Sequence, residues 1–242
     1  MKLIGNTILV TGGGSGIGQA LAWRFHELGN DVIVAGRTAA SLEATIAGRE
    51  GMSALELDVR DPASIARAAE RLAAEHPQLN GLIQSAGIMR YPEEPAHAQE
   101  VVEINLLGTI RTIEALLPQL RGQPDPVIMT VSSGLAFVPL ARAQVYSATK
   151  AAVHSYTVSL REKLRGEVEV IEIAPPAVQT GLTPGQETRE GYLPLDDYIE
   201  QTMAEFAQVP TPEENLVPNA RFLRDAEKEG RLPQVLAMLG SL

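Results

Sequence analysis

Tyr146 and Lys150 stand four residues apart in VYSATKAAV, a run that otherwise reads as small, apolar helix. On a helix that spacing puts a phenol and an ammonium on one face. Such a pair suits proton transfer. A carbonyl that takes up hydride becomes an alkoxide and needs a proton, which a phenol can supply. A free phenol, with a pKa of ~10, is a sluggish base in the reverse direction. A neighbouring ammonium favours the phenolate. Lowering the pKa by about 3 corresponds to ~4 kcal/mol and brings the group near working pH. Two hydroxyls, Ser132 and Ser133, close the apolar run PVIMTVS, and a serine there can donate a hydrogen bond to the reacting oxygen. Asn105 lies in VEINLLG, among apolar neighbours that make an unbonded amide costly. It can hold a water near Lys150 and connect it to solvent.

These side chains need elements to hold them. Apolar, β-branched runs alternate with amphipathic or alanine-rich stretches. The pattern predicts strands at 7–11, 31–35, 53–58, 81–85, 126–132 and 168–174. It predicts helices at 16–28, 39–47, 61–75, 97–120, 144–165 and 195–208. Strand–helix alternation implies an α/β fold of βαβ units, with a parallel sheet covered on both faces and right-handed crossovers. Ligands bind beyond the carboxyl ends of such strands, which is where Ser132 and Ser133 fall. After Pro175 the pattern breaks. Residues 175–192 are rich in Pro, Gly, Thr and Gln, and long irregular segments of this kind often serve as lids. The expectation is a single domain, 1–242, with a C-terminal substrate lid at about 176–210.

The turn after the first strand, LVTGGGSGIG, places glycines at 12, 16 and 18, with Gly13 and Gly14 adding freedom. Bare N–H groups at a helix N-terminus make an anion site suited to a pyrophosphate. Sites for NAD usually carry Asp or Glu about 20 residues further on, to bind the ribose 2′-OH. Here that position reads Gly36, Arg37, Thr38, so a guanidinium replaces the carboxylate. Guanidinium pairs a phosphate bidentately, which favours NADP(H), with NAD(H) possible. An oxidised nicotinamide would add a second positive charge beside Tyr146. Asp58, ending the third strand, is a candidate acceptor for the adenine amine.

Composition removes other classes. The 242 residues are 45% hydrophobic and 21% charged, enough for one packed core. Twenty basic against 30 acidic residues give a formal charge of −10, which argues against nucleic acid and anionic membrane as partners. With no cysteine there is no disulfide framework and no thiolate nucleophile or metal site. None of His26, His76, His97 and His154 has carboxylates at ligand spacing, so no metal is expected. No apolar run approaches the ~20 residues that span a bilayer, and the N-terminus lacks a signal-peptide core. A cytoplasmic protein is expected.

The motifs together resemble the short-chain dehydrogenase/reductases of the single-domain type. Similarity covers about residues 4–182, through TGGGSGIG, LDV at 57–59, SAG at 85–87, INLLG, VSSG at 131–134, YSATK and PPAVQT at 175–180. The run SSGLAFVPLARAQVYSATKAAVHSYTVSLREKL and the double proline look most like the DltE-like reductases. The resemblance implies a Rossmann-type doubly wound sheet in three α/β/α layers. Ser133 precedes Tyr146 by 13 residues (146 − 133), the family's usual interval, which selects Ser133 over Ser132. It further implies a catalytic tetrad of Asn105, Ser133, Tyr146 and Lys150, with Tyr146 and Lys150 also touching the cofactor and Lys150 binding the nicotinamide ribose. The implied phosphate turn is Gly12, Gly14, Ser15, Gly16, Ile17 and Gly18. The nucleoside wall is Arg37, Thr38, Asp58 and Val59, followed by Ser85, Ala86 and Gly87 after the fourth strand. Pro175, Val178 and Thr180 complete the set after the sixth.

Three positions depart from the family pattern. Gln84-Ser85-Ala86-Gly87 replaces Asn-Asn-Ala-Gly, leaving Ser85 to hydrogen-bond backbone there. Pro175-Pro176 replaces Pro-Gly, which removes an N–H and moves the search for a carboxamide donor to Val178, with Thr180 near the carboxamide or pyrophosphate. The usual glycine-rich last strand is absent, and only NLV at 215–217 can serve. Candidate substrate contacts are Met89, Arg90, Leu135, Phe137, Leu140, Leu182 and Tyr192, with Tyr91, Met203 and Phe206 beside them, a mainly apolar set. Arg90 and Arg142 are the obvious anion handles. Helices 97–120 and 144–165 carry apolar residues on more than one face. With the family's habit this implies a homodimer or homotetramer. The leading expectation is an NADP(H)-dependent enzyme interconverting a carbonyl and an alcohol on a small, largely apolar substrate. The alternatives are a nucleotide-binding regulatory or scaffold protein with vestigial chemistry, or an epimerase or dehydratase of the same family, since fold does not fix reaction.

Overall fold

The computed structural model describes residues 1–90 and 93–240. Its centre is a seven-stranded parallel sheet in the order β3-β2-β1-β4-β5-β6-β7. The strands are β1 Thr7–Thr11, β2 Asp31–Gly36, β3 Met52–Glu56, β4 Gly81–Gln84, β5 Val127–Val131, β6 Glu169–Ile173 and β7 Glu214–Asn215. β1 and β5 are buried at every residue, as aliphatic runs in a doubly covered sheet must be. One face is covered by α1 (Gly16–Glu27), α2 (Ala39–Ile46) and α7 (Leu195–Phe206), through Phe25, Leu42 and Phe206. The other is covered by α3 (Pro62–Glu75), α5 (Thr109–Arg121) and α6 (Gln144–Lys163), through Leu72, Leu116 and Leu160. The result is the expected three-layer, doubly wound architecture.

Local chemistry sets the element ends. Asp61 caps α3 by accepting from the Ala63 N–H at 2.9 Å, with Pro62 in the first helical position. α1 stops before Gly29, whose φ of +87° turns the chain back toward β2. The strand order reverses between β1 and β4, so their carboxyl ends splay and open a crevice. Register aligns those ends: Thr11 pairs with Ala35 and Gln84, Gln84 with Thr130, and Val131 with Ile173. Every reactive segment therefore leaves the sheet at one level.

Three expectations change. The helix expected over 97–120 is α4 (Ala98–Val102), a π-helical stretch Glu103–Gly108, then α5. The wide turn carries Asn105, and such bulges recur at functional sites. Gly108 explains the close approach, since a methyl there would lie 2.8 Å from Val59 Cγ2. Of the stretch 176–210 read as a lid, α7 instead buries Tyr198, Ile199 and Phe206 in the core. The last strand is Glu214–Asn215 rather than 215–217, paired parallel with β6. Two short helices, α8 (Pro218–Arg224) and α9 (Leu232–Gly240), follow and pack on Val138.

Candidate active site

The phosphate turn is built by contact. Gly12 and Gly16 hold φ of +67° and +55°, which glycine adopts without strain. A methyl on Gly18 would lie 2.5 Å from the Gly12 carbonyl oxygen, so α1 starts directly on the turn. Its opening N–H groups, at Gly16 and Ile17, line a central cavity of about 380 Å³. Thr180 reaches the same place from beyond β6, its Cβ 3.6 Å from the methyl position on Gly16. The tie between β1 and β4 is Thr11 rather than Ser85. Thr11 Oγ1 accepts from the Ser85 and Ala86 N–H groups, both at 3.1 Å, and donates to Gln84 Oε1 at 3.0 Å. Thr11 and Gln84 escaped the sequence reading, although their pairing across β1 and β4 follows from both ending on a polar residue. With those bonds made, a methyl on Gly12 would lie 3.0 Å from the Ala86 backbone.

A second cavity, about 170 Å³, continues from Gly12, Gly14 and Ser15 to Arg37, Thr38, Asp58 and Val59, with Ala86 and Gly87 on its inner wall. Arg37 is exposed and makes no hydrogen bond or ion pair with the described residues. Asp58 is committed: Arg60 grips its carboxylate at 2.7 and 3.1 Å and holds it below the usual carboxylate range. The adenine-acceptor reading of Asp58 therefore competes with an existing partner.

Tyr146, Lys150, Ser133 and Asn105 are all buried. Tyr146 and Ser133 line the same cavity wall, and Ser133 Oγ accepts from the Leu135 N–H at 3.1 Å. Lys150 Nζ donates to the Val131 carbonyl at 2.8 Å and lies 5.7 Å from the centre of the Tyr146 ring. Burial dominates both titrations. It pushes Tyr146 up to about 12, with Ser133 opposing the rise. It pushes Lys150 down to about 8, against the charge of Glu172. Asn105 does not aim its amide at Lys150. It pairs with Ile88 in both directions, accepting from N–H at 2.8 Å and donating to C=O at 2.9 Å, and donates to Thr149 Oγ1 at 3.3 Å. Gly87 sits between the two: a methyl there would be 3.4 Å from Asn105 Oδ1 and 3.5 Å from Lys150 Nζ.

A third, mostly apolar cavity of about 120 Å³ opens from Ser133 and Tyr146. Met89, Leu135, Leu140, Leu182 and Tyr192 line it as expected. Arg90 lines the central cavity, paired to Glu100 at 2.7 Å. Phe137 does not line the site. It turns behind β5, its ring edge against His154 at 5.0 Å and under Arg224 at 4.8 Å. Met203 and Phe206 pack in the core, Phe206 on Phe25 at 5.8 Å. Arg142 is held by the Gly240 carbonyl at 3.4 Å, outside these cavities. Tyr91 lies outside the described residues. The residues missed are Thr183, Gln186, Arg189, Leu223 and Leu239. Gln186 organises the loop after β6: its amide donates to the Val178 carbonyl at 2.8 Å and to Thr180 Oγ1 at 3.2 Å, and its oxygen accepts from Thr183 at 2.8 Å. Val178 bridges Leu193 in parallel fashion through its neighbours' N–H and C=O groups and lines the central cavity. His154 does meet carboxylates in space: its ring and Glu172 and Glu214 bring ligating atoms within 4.8 Å of one another. Arg224 already holds both oxygens of Glu214, at 2.9 and 3.1 Å.

The sequence model of the short chain dehydrogenase family matches residues 6–191, from the start of β1 through the loop beyond β6. The chain is a short chain dehydrogenase. It is 40% identical over 198 residues to the uncharacterized oxidoreductase DltE of Bacillus subtilis, covering 79% of each chain. An uncharacterized oxidoreductase of Staphylococcus aureus strain MW2 is 31% identical over 182 residues, 72% of this chain and 79% of that one. Among solved structures, a short chain dehydrogenase from Burkholderia cenocepacia in complex with NADP superposes with a TM-score of 0.85 at 25% identity, over 99% of both chains. A 3-ketoacyl-(acyl-carrier-protein) reductase from Brucella melitensis complexed with NADH gives 0.78 at 25% identity, over 90% of this chain and 96% of that one. This short chain dehydrogenase is thus an oxidoreductase of a family that binds a nicotinamide dinucleotide. No helix of its described residues is long and apolar enough to cross a membrane.

Proposed function

We propose that the chain is an NADP(H)-dependent reductase that interconverts a carbonyl and an alcohol on a small, largely apolar substrate. The observation that carries the reading is the buried pair Tyr146 and Ser133 lining one cavity wall, with Lys150 5.7 Å from the Tyr146 ring, at the meeting point of a phosphate turn and an apolar cavity. The cofactor fits the residues present: the Gly16 and Ile17 N–H groups would hold its pyrophosphate, and Arg37, which makes no hydrogen bond or ion pair among the described residues, would meet a 2′-phosphate. When bound, the dihydronicotinamide supplies hydride to the carbonyl carbon. The chain supplies the rest. Tyr146 is a neutral phenol at neutral pH and gives its proton to the oxygen. Ser133 holds that oxygen with a hydrogen bond.

Lys150 decides whether the phenolate left behind is tolerable. Raising Tyr146 from 10.0 to about 12 corresponds to roughly 3 kcal/mol against the phenolate. A unit charge 5.7 Å away is worth on the order of 3 kcal/mol at an effective dielectric near 20. A charge beside the ring favours the phenolate, and Lys150 supplies it only while it is an ammonium. Asn105 acts indirectly, fixing the backbone at Ile88 that walls the cavity. Arg189, the one charged side chain among the described residues lining the apolar cavity, donates to the Tyr192 hydroxyl at 3.2 Å and lies over that ring at 5.3 Å. A homodimer through α5 and α6 is part of the same reading, supported by Val158 standing 45% exposed on α6. The test is titration with NADPH and NADH, then turnover with ketones, aldehydes and secondary alcohols. Equal affinity for both nucleotides would remove the NADP assignment, and no turnover with any member of the panel would remove the reaction.

A further inference from the structure

Behind the wall that faces the cavities lies a polar cluster to which the reaction above gives no role. Glu172 projects from β6 into the interior and is fully buried. Its Oε1 accepts from Ser132 Oγ at 2.5 Å, and its Oε2 lies 2.7 Å from His154 Nδ1. A buried carboxylate is costly without partners, so these bonds constrain position strongly.

The attachment points are the important part. Ser132 sits between Val131, whose carbonyl holds Lys150, and Ser133, which meets Tyr146. His154 is one turn beyond Lys150 on α6, on the same face. Glu172 therefore grips the end of β5 and the middle of α6, the two elements that carry the reactive side chains. The surroundings are charged from several sides. Glu214 on β7 and Arg224 on α8 face His154, Phe137 closes its edge, and Lys150 shares its helix. The hydrogen bond it donates to Glu172 raises His154 above its ordinary value and favours imidazolium, which balances the carboxylate.

We propose that Ser132, Glu172 and His154 are positioning residues for carbonyl reduction: they fix the end of β5 against α6, and the Glu172 carboxylate keeps Lys150 charged. The inference rests on the reading of the site given above. Its electrostatic half has a definite sign. Burial lowers Lys150 to about 8 and the Glu172 charge opposes that fall, so removing the charge lets the lysine lose its proton at lower pH.

The lysine can be watched directly. The chain has four lysines, Lys2, Lys150, Lys163 and Lys228, few enough to resolve by NMR with carbon-13 at lysine Cε. Lys150→Met assigns the buried one. In Glu172→Gln, which keeps the shape and loses the charge, the Lys150 midpoint is expected to fall by about one pH unit. Its kcat is expected to fall about tenfold, with KM and NADPH affinity within about twofold. Ser132→Ala keeps the charge and is expected to lower kcat severalfold without moving the midpoint. An unchanged Lys150 midpoint in Glu172→Gln overturns the electrostatic role, and unchanged kcat in both variants overturns the positioning role. If Glu172→Gln does not fold, Ser132→Ala decides: a wild-type kcat sinks the proposal. If the unsubstituted protein turns over no carbonyl, the reading of the site fails, while the lysine titration, which needs no substrate, still decides the inference.

Discussion

The two ends of the trench are built in different ways. The nucleotide end is made mostly by backbone: the turn from β1 to α1 and the ends of β2 and β3, closed on its inner wall by Ala86 and Gly87 beyond β4. The substrate end is made by side chains drawn from Met89 to Leu239, including two short C-terminal helices. A backbone site needs glycines at fixed intervals and tolerates little. A side-chain site distributes its shape over many weak contacts, so single changes there should cost less. Tyr146 lies where the two ends meet, and replacing it gives the largest expected effect. Tyr146→Phe should lower kcat by about 10²–10⁴-fold, the usual worth of a positioned acid, while NADPH affinity stays within about twofold. Steady-state kinetics and fluorescence titration measure both. A parallel loss of binding would mean the ends are not separable. The unsubstituted enzyme should also lose carbonyl reduction above about pH 8, since Lys150 is ammonium below that value and neutral above it. A flat profile to pH 10 would deny the lysine its role.

Glycines test the backbone end more sharply. Gly18→Ala drives a methyl to 2.5 Å from the Gly12 carbonyl oxygen, where only backbone can yield. Overpacking of this kind costs about 1–3 kcal/mol, and the displaced turn should weaken NADPH as well. Gly181, on the loop beyond β6, has no left-handed φ, and a methyl added there would meet nothing within 4 Å. Gly181→Ala should stay within about 0.5 kcal/mol of the unsubstituted protein. Chemical denaturation of both variants with and without NADPH settles the contrast, and equal costs would abolish it. Next in size is Arg37→Met. Losing a charge-assisted pair to phosphate at an exposed site should weaken NADPH about tenfold, roughly 1.4 kcal/mol, and leave NADH unchanged.

The same contrast governs what the sequence reveals. TGGGSGIG announces its turn because glycine spacing and helix start are local, and YSATK announces its pair because helical periodicity puts i and i+4 together. The strands were legible to within a residue or two for the same reason. What escaped was set by distant packing. Phe137 looked like a pocket residue from its place after Ser133, but Arg224 and His154 draw it behind the sheet. Asn105 was found, yet its π-helical turn and its bonds to Ile88 depend on how Gly108 meets Val59. Burial opposes the phenolate at Tyr146, and no spacing in the sequence encodes depth.

Gln186 gives the smallest expected effect and the finest test of the division. It sits in a Pro- and Gly-rich stretch with no local signal, yet its amide joins Val178, Thr180 and Thr183. Thr183 faces the substrate cavity, whereas Val178 and Thr180 face the nucleotide cavity. Gln186→Leu keeps the volume and leaves the buried Val178 carbonyl without its donor, which costs about 1–2 kcal/mol. For a domain of this size that lowers Tm by roughly 2–8 °C. If the loop serves the substrate end alone, KM should rise a fewfold with NADPH affinity unmoved. If both shift together, the loop after β6 couples the two ends, because one side chain then holds a wall of each.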